Sequence, residues 1–149
     1  MLQKVYQESP YLEKMYTPVK LKQVVRRVNK NLRHLIAKKE VQFDGIAFTG
    51  SSGAAIAFPL SYAAGWKILH VRKTRDDHGL PIESHGFFHK VVIIDDFISS
   101  GATMRRGLES LNTYGLKCTG IMLYNMRGNR GSPQEFNGTV FDDIPVFLV

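Results

Sequence analysis

The chain has 149 residues, a net charge of +7 and one cysteine, and 44% of its residues are hydrophobic. This length suits one domain, and the composition excludes collagen-like, low-complexity and disordered classes. Cys118, which enters an apolar run, is expected to be a core residue rather than a nucleophile. No segment approaches the ~20 apolar residues of a membrane span, and charges interrupt the N-terminal residues where a signal peptide would be apolar. We therefore expect a cytoplasmic protein with no membrane partner.

The positive charge is concentrated near the N-terminus. Residues 1–40 contain ten basic and three acidic residues, so the remaining 109 residues carry no net charge. A basic segment of this kind either attracts a polyanion or presents a solvated helix face. Its cations are spread around the predicted helix without the interleaved aromatic side chains on which single-strand binders stack bases. We therefore expect no nucleic-acid partner.

The first predicted element is an amphipathic helix. Thr17 suits the N-cap and Pro18 the first helical position, where its missing N–H costs nothing. The helix is expected to end near Lys39. Its apolar face is formed by residues at helical spacing, namely Leu21, Val24, Val25, Val28, Leu32, Leu35 and Ile36.

A strand, a turn and a second helix follow. Residues 43–48 resemble a buried strand, residues 49–53 form a glycine and serine turn, and a small-residue apolar stretch continues to residue 64. Pro59 within this stretch predicts a helix that is kinked or begins later than Gly53. Residues 67–71 are a second short strand.

The middle of the chain combines a polar segment with an apolar strand. Residues 72–84 contain Gly79 and Pro81 and lack a sustained period, which predicts a mobile loop. Residues 91–94 are a continuous β-branched run, as expected of a central parallel strand that is covered on both faces.

The C-terminal third continues the alternation. A helix is predicted over residues 102–114 with Gly115 at its C′ position, and a strand over residues 119–124. Residues 126–138 are rich in Gly, Asn and Ser and predict a loop, while residues 139–149 predict one or two edge strands interrupted at Pro145. The pattern is that of a single α/β domain with a mostly parallel sheet. It divides into a basic helical N-terminal segment (1–40), a core (41–125) and a C-terminal loop with edge strands (126–149).

Two adjacent acids, Asp95 and Asp96, end the apolar strand, and a small hydroxyl-rich turn at the start of a helix follows them. In open α/β sheets, ligands bind beyond the carboxyl ends of the strands. The N–H groups and positive dipole end of the helix favour a phosphate there. Carboxylates beside a phosphate are unfavourable unless they face hydroxyls or a cation. A phosphorylated sugar meets that condition, with its phosphate on the helix end and its hydroxyls on the acids.

At these residues the sequence resembles the type I phosphoribosyltransferase family. The family signature is four apolar residues, two acids, two variable residues and a small Thr/Ser/Gly turn, and all thirteen positions from Val91 to Thr103 fit it. The resemblance covers roughly residues 43–125. It implies a mostly parallel central sheet flanked by helices, with a small hood formed by the terminal segments.

Residues 71–79 resemble the flexible catalytic loop of the orotate branch of that family. The matching residues are Arg72, Lys73, Asp77, His78 and Gly79. The branch's second loop lysine is replaced by Asp76, with Arg75 one position earlier. The lysine that this branch often carries in its pyrophosphate loop corresponds to Ser52.

The resemblance implies transfer of the 5-phosphoribosyl group of phosphoribosyl pyrophosphate to a ring nitrogen of a nucleobase, with Mg²⁺ and release of pyrophosphate. Asp95 and Asp96 would stabilise the cationic ribose and contact the metal indirectly, through substrate hydroxyls and water. The remaining catalytic residues would be Lys73, Arg75 and His78. The substrate would be held by Arg72, Ser99, Ser100, Gly101, Ala102 and Thr103. The pyrophosphate loop would consist of Thr49, Gly50, Ser51, Ser52 and Gly53.

The resemblance says less about which base accepts the phosphoribosyl group and which partners the protein has. Enzymes for 6-oxopurines resemble this signature but carry an aspartate at the position of Ser99, so an orotate-like pyrimidine is favoured over hypoxanthine or guanine. The terminal segments match no hood known to select a base, so the base stays open. We also expect a homodimer. The alternative is a non-catalytic regulator that binds phosphoribosyl pyrophosphate or a nucleotide and uses its basic first helix on nucleic acid.

Other nucleotide and hydrolase classes fit poorly. The chain contains neither a GxxxxGK[ST] phosphate loop nor a GxGxxG fingerprint. Residues 50–54 lack the last glycine of a nucleophile elbow, and the last histidine, His89, precedes Asp95 rather than following it.

Overall fold

The computed structural model describes residues 16–73, 80–125 and 139–149. In these ranges the helices are α1 (Pro18–Ala37), α2 (Gly50–Ala64) and α3 (Ala102–Thr113). The strands are β1 (Gly45–Phe48), β2 (Ile68–Val71), β3 (Ile82–Ser84), β4 (Lys90–Asp95), β5 (Lys117–Leu123), β6 (Val140–Phe141) and β7 (Ile144–Leu148). None of the described helices is long and apolar enough to cross a membrane.

The strands form a seven-stranded sheet in the order β3-β2-β1-β4-β5-β7-β6. The five inner strands, from β2 to β7, pair in parallel, and the edge strands β3 and β6 are antiparallel to their neighbours. The predicted α/β class with a mostly parallel sheet is confirmed. Strand β4, the predicted central strand, lies between β1 and β5 and is buried from Val91 to Asp95.

Helices cover both faces of the sheet, so alternate residues of each central strand are buried in two different cores. Ile46 and Ile94 belong to the core beneath α1 and α2, while Ala47 and Ile93 belong to the core beneath α3. This explains why the central strands are apolar at every position instead of alternating.

Helix α1 begins as predicted. The Thr17 hydroxyl accepts a hydrogen bond from the Lys20 N–H at 3.4 Å, and Pro18 is the first helical residue. The buried face consists of Val24, Val28, Leu32 and Leu35. Ile36, which was predicted on that face, is 43% exposed, because it follows the buried Leu35 by one residue and therefore points about 100° away.

Helix α2 begins at Gly50, inside the predicted turn, and continues through Pro59 to Ala64. The expectation that it begins after Gly53 is wrong. A helical proline removes one hydrogen bond and costs about 3 kcal/mol. Ile56 and Leu60, on either side of Pro59, have no exposed surface, so burial offsets that cost.

Two further predictions need correction. Residues 82–84 were assigned to a loop but form β3, which pairs with β2 at the sheet edge. The C-terminal strands are separated by Asp142 and Asp143 rather than at Pro145, which lies within β7. Both aspartates have positive φ angles, 45° and 63°, a conformation that Asp adopts more readily than most residues and that closes a two-residue hairpin. The predicted loop over 126–138 lies outside the described residues, as do residues 1–15 of the terminal segments that were expected to form the hood.

Gly45 and Gly107 give opposite stability predictions. A Cβ at Gly45 would clash with the ring of the buried Phe88, whereas a Cβ at Gly107, inside α3, would meet no described atom outside the backbone of its own helix within 4 Å. We expect Gly45→Ala to destabilise the fold by about 1–3 kcal/mol through overpacking. Gly107→Ala should stabilise it by about 0.5–1 kcal/mol, since alanine has less backbone freedom to lose. Urea unfolding of both variants tests this, and equal effects would contradict the packing described around Gly45.

Candidate active site

The site lies where two adjacent parallel strands end. In the pairing of β1 with β4, Phe48 lies opposite Ile94, so the segments that follow the two strands leave the sheet side by side. One of these segments is the first turn of α2. The other carries the two acids and leads into α3.

A cavity of about 250 Å³ lies between these segments. It brings together three regions that the sequence predicted separately: the turn after β1, the residues after β2, and the acidic strand end with its hydroxyl-rich turn. Its walls are formed by Ser52, Lys73, Asp95, Asp96, Phe97, Ile98, Ser99, Ser100, Gly101, Thr103 and Met104. Thr49, Gly50, Ser51 and Gly53 belong to the same turn as Ser52 but are not part of the wall.

The two acids are unusually buried for carboxylates, each with 8% of its surface exposed. Asp95 Oδ1 accepts hydrogen bonds from the Ser52 hydroxyl at 2.8 Å and from the Asp96 N–H at 2.9 Å. Asp96 Oδ1 accepts from the Phe97 N–H at 2.9 Å. These donors fix the positions of both carboxylates at the end of β4.

Burial also changes the acidity of Asp95. Loss of solvent raises the pKa of Asp95 to about 7, the hydrogen bond from Ser52 acts in the opposite direction, and the neighbouring charge of Asp96 raises the pKa further. The ionised form is therefore costly in the unliganded protein. Hydroxyl donors or a cation entering the cavity would favour that form.

The hydroxyl-rich turn has the features of an anion site. Gly101 precedes α3 with φ +81°, a conformation that favours glycine, and a Cβ there would crowd the Phe141 ring at 3.1 Å. Ser99 and Ser100 are exposed, and Ser100 Oγ accepts from the Ala102 N–H at 3.3 Å. The N-terminal end of α3, which carries the positive end of the helix dipole, therefore lies at the cavity wall beside the acids.

Lys73 places a positive charge at the first turn of α2. A Cβ at Gly50 would lie 2.5 Å from Lys73 Cε and 2.7 Å from its Nζ, so the lysine side chain crosses the first residue of α2. Among the described residues that line the cavity, Lys73 is the only basic one. Ser52 occupies the position of the lysine expected from the orotate branch, and Lys73 brings a cation to the same turn from the end of β2.

Arg72 does not reach the cavity. Its side-chain Nη2 donates to Glu83 Oε1 on β3 at 2.6 Å, and its backbone N–H donates to the Pro81 carbonyl at 2.9 Å. The hydrogen bond from Arg72 lowers the pKa of Glu83. The predicted role of Arg72 in substrate binding stays a prediction, as do those of Arg75 and His78, which lie outside the described residues.

Gly53 has a structural role that the motif alone did not predict. A Cβ at this position would lie 2.9 Å from Phe48 Cβ and 3.0 Å from the Ile94 carbonyl oxygen. Only glycine therefore allows the first turn of α2 to approach the ends of β1 and β4 this closely.

Sequence reasoning missed Tyr124. Its hydroxyl donates to the Ser52 carbonyl at 2.7 Å and lies 2.9 Å from the Tyr16 hydroxyl. The available signal was a tyrosine directly after the apolar strand β5. Cys118 is half-buried rather than fully enclosed, and it packs against the core beneath α3. Burial raises the pKa of its thiol to about 11, and the thiol donates to the Gly120 carbonyl.

The acids could hold a metal ion only with help from a ligand. Within the described ranges, no group of three or more His, Cys, Asp or Glu residues could bind a metal. Asp95 and Asp96 therefore suit a cation that takes most of its oxygen ligands from substrate and water, which is how Mg²⁺ usually binds beside phosphates.

The raised pKa of Asp95 predicts how stability depends on pH. The folded state keeps the Asp95 proton up to about pH 7, whereas the unfolded chain releases it near pH 4. The folded state binds more protons between these values, so the stabilisation is complete below about pH 4 and is lost as pH rises through 7. Asp95→Asn removes this loss and keeps an acceptor for Ser52. We expect the variant to be about 1–3 kcal/mol more stable than the parent at pH 8 and similar to it at pH 4. Urea unfolding at both pH values measures the difference, and a constant difference would contradict the raised pKa.

Comparison with known families and structures points to one family. The family model described as the phosphoribosyl transferase domain matches residues 21–149. The comparison with curated proteins found no match.

Several solved structures share the fold. UMP synthase from Leishmania donovani has a TM-score of 0.59 and 27% identity, over 84% of this chain and 27% of that one. Orotate phosphoribosyltransferase from Francisella tularensis has a TM-score of 0.61 and 19% identity, over 90% and 67% of the two chains. Adenine phosphoribosyltransferase from Thermoanaerobacter pseudethanolicus has a TM-score of 0.62 and 18% identity, over 97% and 86%. The chain thus spans about a quarter of the UMP synthase, and the two less identical matches show the fold alone.

Proposed function

The chain belongs to the phosphoribosyl transferase domain family, and we propose that it transfers the 5-phosphoribosyl group of phosphoribosyl pyrophosphate to a ring nitrogen of a nucleobase and releases pyrophosphate. The observation that carries this proposal is the cavity at the end of β4. There, two buried carboxylates lie between the first turns of two helices. A ligand with hydroxyls at its centre and phosphates at both ends complements that arrangement.

In the proposed mechanism, the turn formed by residues 99–103 holds the 5-phosphate and orients the sugar. Asp95 and Asp96 accept hydrogen bonds from the ribose hydroxyls. As the bond between C1 of the ribose and the pyrophosphate oxygen breaks, positive charge grows on the ring. The fixed carboxylates stabilise that charge more strongly in the transition state than in the ground state.

The leaving group is placed at the first turn of α2. Lys73, whose side chain crosses Gly50, would neutralise part of the charge of the departing pyrophosphate, and we propose Arg75 and His78 for the same role. Mg²⁺, when bound, would supply positive charge that favours departure of the pyrophosphate. Asp95 and Asp96 would contact the ion through the ribose hydroxyls and water.

We propose an orotate-like pyrimidine as the acceptor. Ser99 occupies the position at which 6-oxopurine enzymes of this family carry an aspartate, so the chain lacks that group for a purine ring proton. The structural neighbours include both orotate and adenine phosphoribosyltransferases with similar TM-scores, and the fold alone therefore does not select the base.

Pyrophosphate release tests the activity. The protein is mixed with phosphoribosyl pyrophosphate, Mg²⁺ and, separately, orotate, uracil, adenine, hypoxanthine or guanine. We expect base-dependent release with orotate, and little with the 6-oxopurines. If the protein binds phosphoribosyl pyrophosphate yet releases no pyrophosphate with any base, the proposed enzymatic function is wrong and the alternative, a non-catalytic regulator, is favoured.

Replacing both acids tests the mechanism. Asp95→Asn with Asp96→Asn keeps size and hydrogen-bonding atoms but removes both charges, so turnover should fall by several orders of magnitude, about 10³-fold or more. The control is the paired change Asp142→Asn and Asp143→Asn in the exposed β6–β7 turn, where asparagine also tolerates positive φ. Near-parental turnover in the first variant would remove these acids from the mechanism.

We also propose a cytoplasmic homodimer with no nucleic-acid partner. The cations of α1 are exposed but spread along the helix, namely Lys20, Lys22, Arg26, Arg27, Lys30 and Arg33. We expect only weak RNA and DNA binding at physiological salt by fluorescence anisotropy. Tight binding that is lost when Arg26, Arg27, Lys30 and Arg33 are changed to Gln would contradict this, with a log–log salt slope of about −0.7 to −0.9 per phosphate contact.

A further inference from the structure

A chain of hydrogen bonds runs behind the cavity wall and joins three distant parts of the sequence. The Tyr124 hydroxyl donates to the Ser52 carbonyl at 2.7 Å, and the Ser52 hydroxyl donates to Asp95 Oδ1 at 2.8 Å. On the other side, the hydroxyls of Tyr124 and Tyr16 lie 2.9 Å apart. The chain therefore connects the segment before α1, the end of β5 and the first turn of α2 with an acid of the site.

Tyr124 is rigidly placed. Its side chain is 3% exposed and packs in the core beneath α1 and α2. Its own N–H donates to the Asp95 carbonyl at 3.1 Å, which attaches it to the end of β4 as well. A tyrosine buried this deeply keeps its hydroxyl only where that hydroxyl finds partners.

The directions of these hydrogen bonds follow from the number of protons that each tyrosine hydroxyl can donate. Each phenol has one proton to donate. Since the Tyr124 proton is directed to the Ser52 carbonyl, Tyr16 donates to the Tyr124 oxygen. Tyr16 thereby orients the Tyr124 hydroxyl toward Ser52.

From this geometry we infer that Tyr124 is a positioning residue for the pyrophosphate half of the site, with Tyr16 supporting it. Tyr124 holds the first turn of α2 against the end of β4, so that Ser52 contacts Asp95 and Gly50 lies beneath Lys73. The Thr49 side chain makes no capping hydrogen bond to this helix, and the bond from Tyr124 to the Ser52 carbonyl joins its first turn to the end of β5. This inference rests on the proposed function, which places pyrophosphate at that turn.

The role predicts a selective effect. The turn formed by residues 99–103 leads into α3, which packs on the other face of the sheet from the core that contains Tyr124. Loss of the Tyr124 hydroxyl should therefore weaken binding at the first turn of α2 and leave binding of a 5-phosphate at α3 unchanged. A general loss of stability would affect both halves alike.

Isothermal titration calorimetry on the full chain tests this with two probes, pyrophosphate in the presence of Mg²⁺ and ribose 5-phosphate. For Tyr124→Phe we expect pyrophosphate affinity to fall about three- to tenfold, the range for one hydrogen bond, and ribose 5-phosphate affinity to stay within about twofold. Tyr62→Phe is the matched control, because Tyr62 lies on α2 and is 95% exposed. It should change neither affinity.

Tyr16→Phe provides a second variant. It leaves Tyr124 in place and removes only the outer hydroxyl, so it should cause the same selective loss at a smaller size and keeps the inference testable if Tyr124→Phe folds poorly. Unchanged pyrophosphate affinity in both variants, or equal loss of both probes, would overturn the inference while leaving the proposed function intact. If the parent protein binds neither probe, the proposed function fails together with the inference.

Discussion

Burial of two adjacent carboxylates at the end of a central strand is the constraint on which the site depends. An ionised acid removed from water is costly unless it is paired or hydrogen-bonded. Here the protein offers Asp95 one hydroxyl and one backbone N–H, and burial still raises the pKa of Asp95 to about 7. Ionisation of Asp95 is therefore unfavourable in the unliganded protein, and a ligand with hydroxyl donors would favour the ionised form that the proposed cationic ring needs.

The fold provides that constraint through close approach rather than through many polar contacts. The first turn of α2 contacts the end of β4 because Gly53 leaves room for the Phe48 side chain and the Ile94 carbonyl. The same approach brings Ser52 to Asp95 and allows Tyr124 to bond the turn from behind. A larger residue at Gly53 would push α2 away from the two acids. The two halves of the cavity would then move apart.

The sequence predicted the elements with strong local signals and failed where tertiary contacts decide. Short-range patterns indicated three features that the structure confirms: the apolar run of β4, the start of α1 at Thr17-Pro18, and the strand that ends in two acids. The start of α2 was misjudged because the cost of Pro59 is local, whereas the burial that offsets it is not. Tyr124 was missed because its importance comes from Ser52, 72 residues away in sequence, and no pattern within one element encodes that contact.

The proposed recognition of ribose hydroxyls by Asp95 and Asp96 can be measured by calorimetric titration with ribose 5-phosphate and with 2-deoxyribose 5-phosphate, because the two ligands share the phosphate and differ by one hydroxyl. We expect the parent protein to bind the ribose compound about tenfold more tightly, near the lower end of the range for a hydrogen bond to a charged acceptor. The variant with Asn at positions 95 and 96 should lose most of this preference. Equal affinity of the parent protein for both sugars would show that these acids do not recognise the hydroxyl.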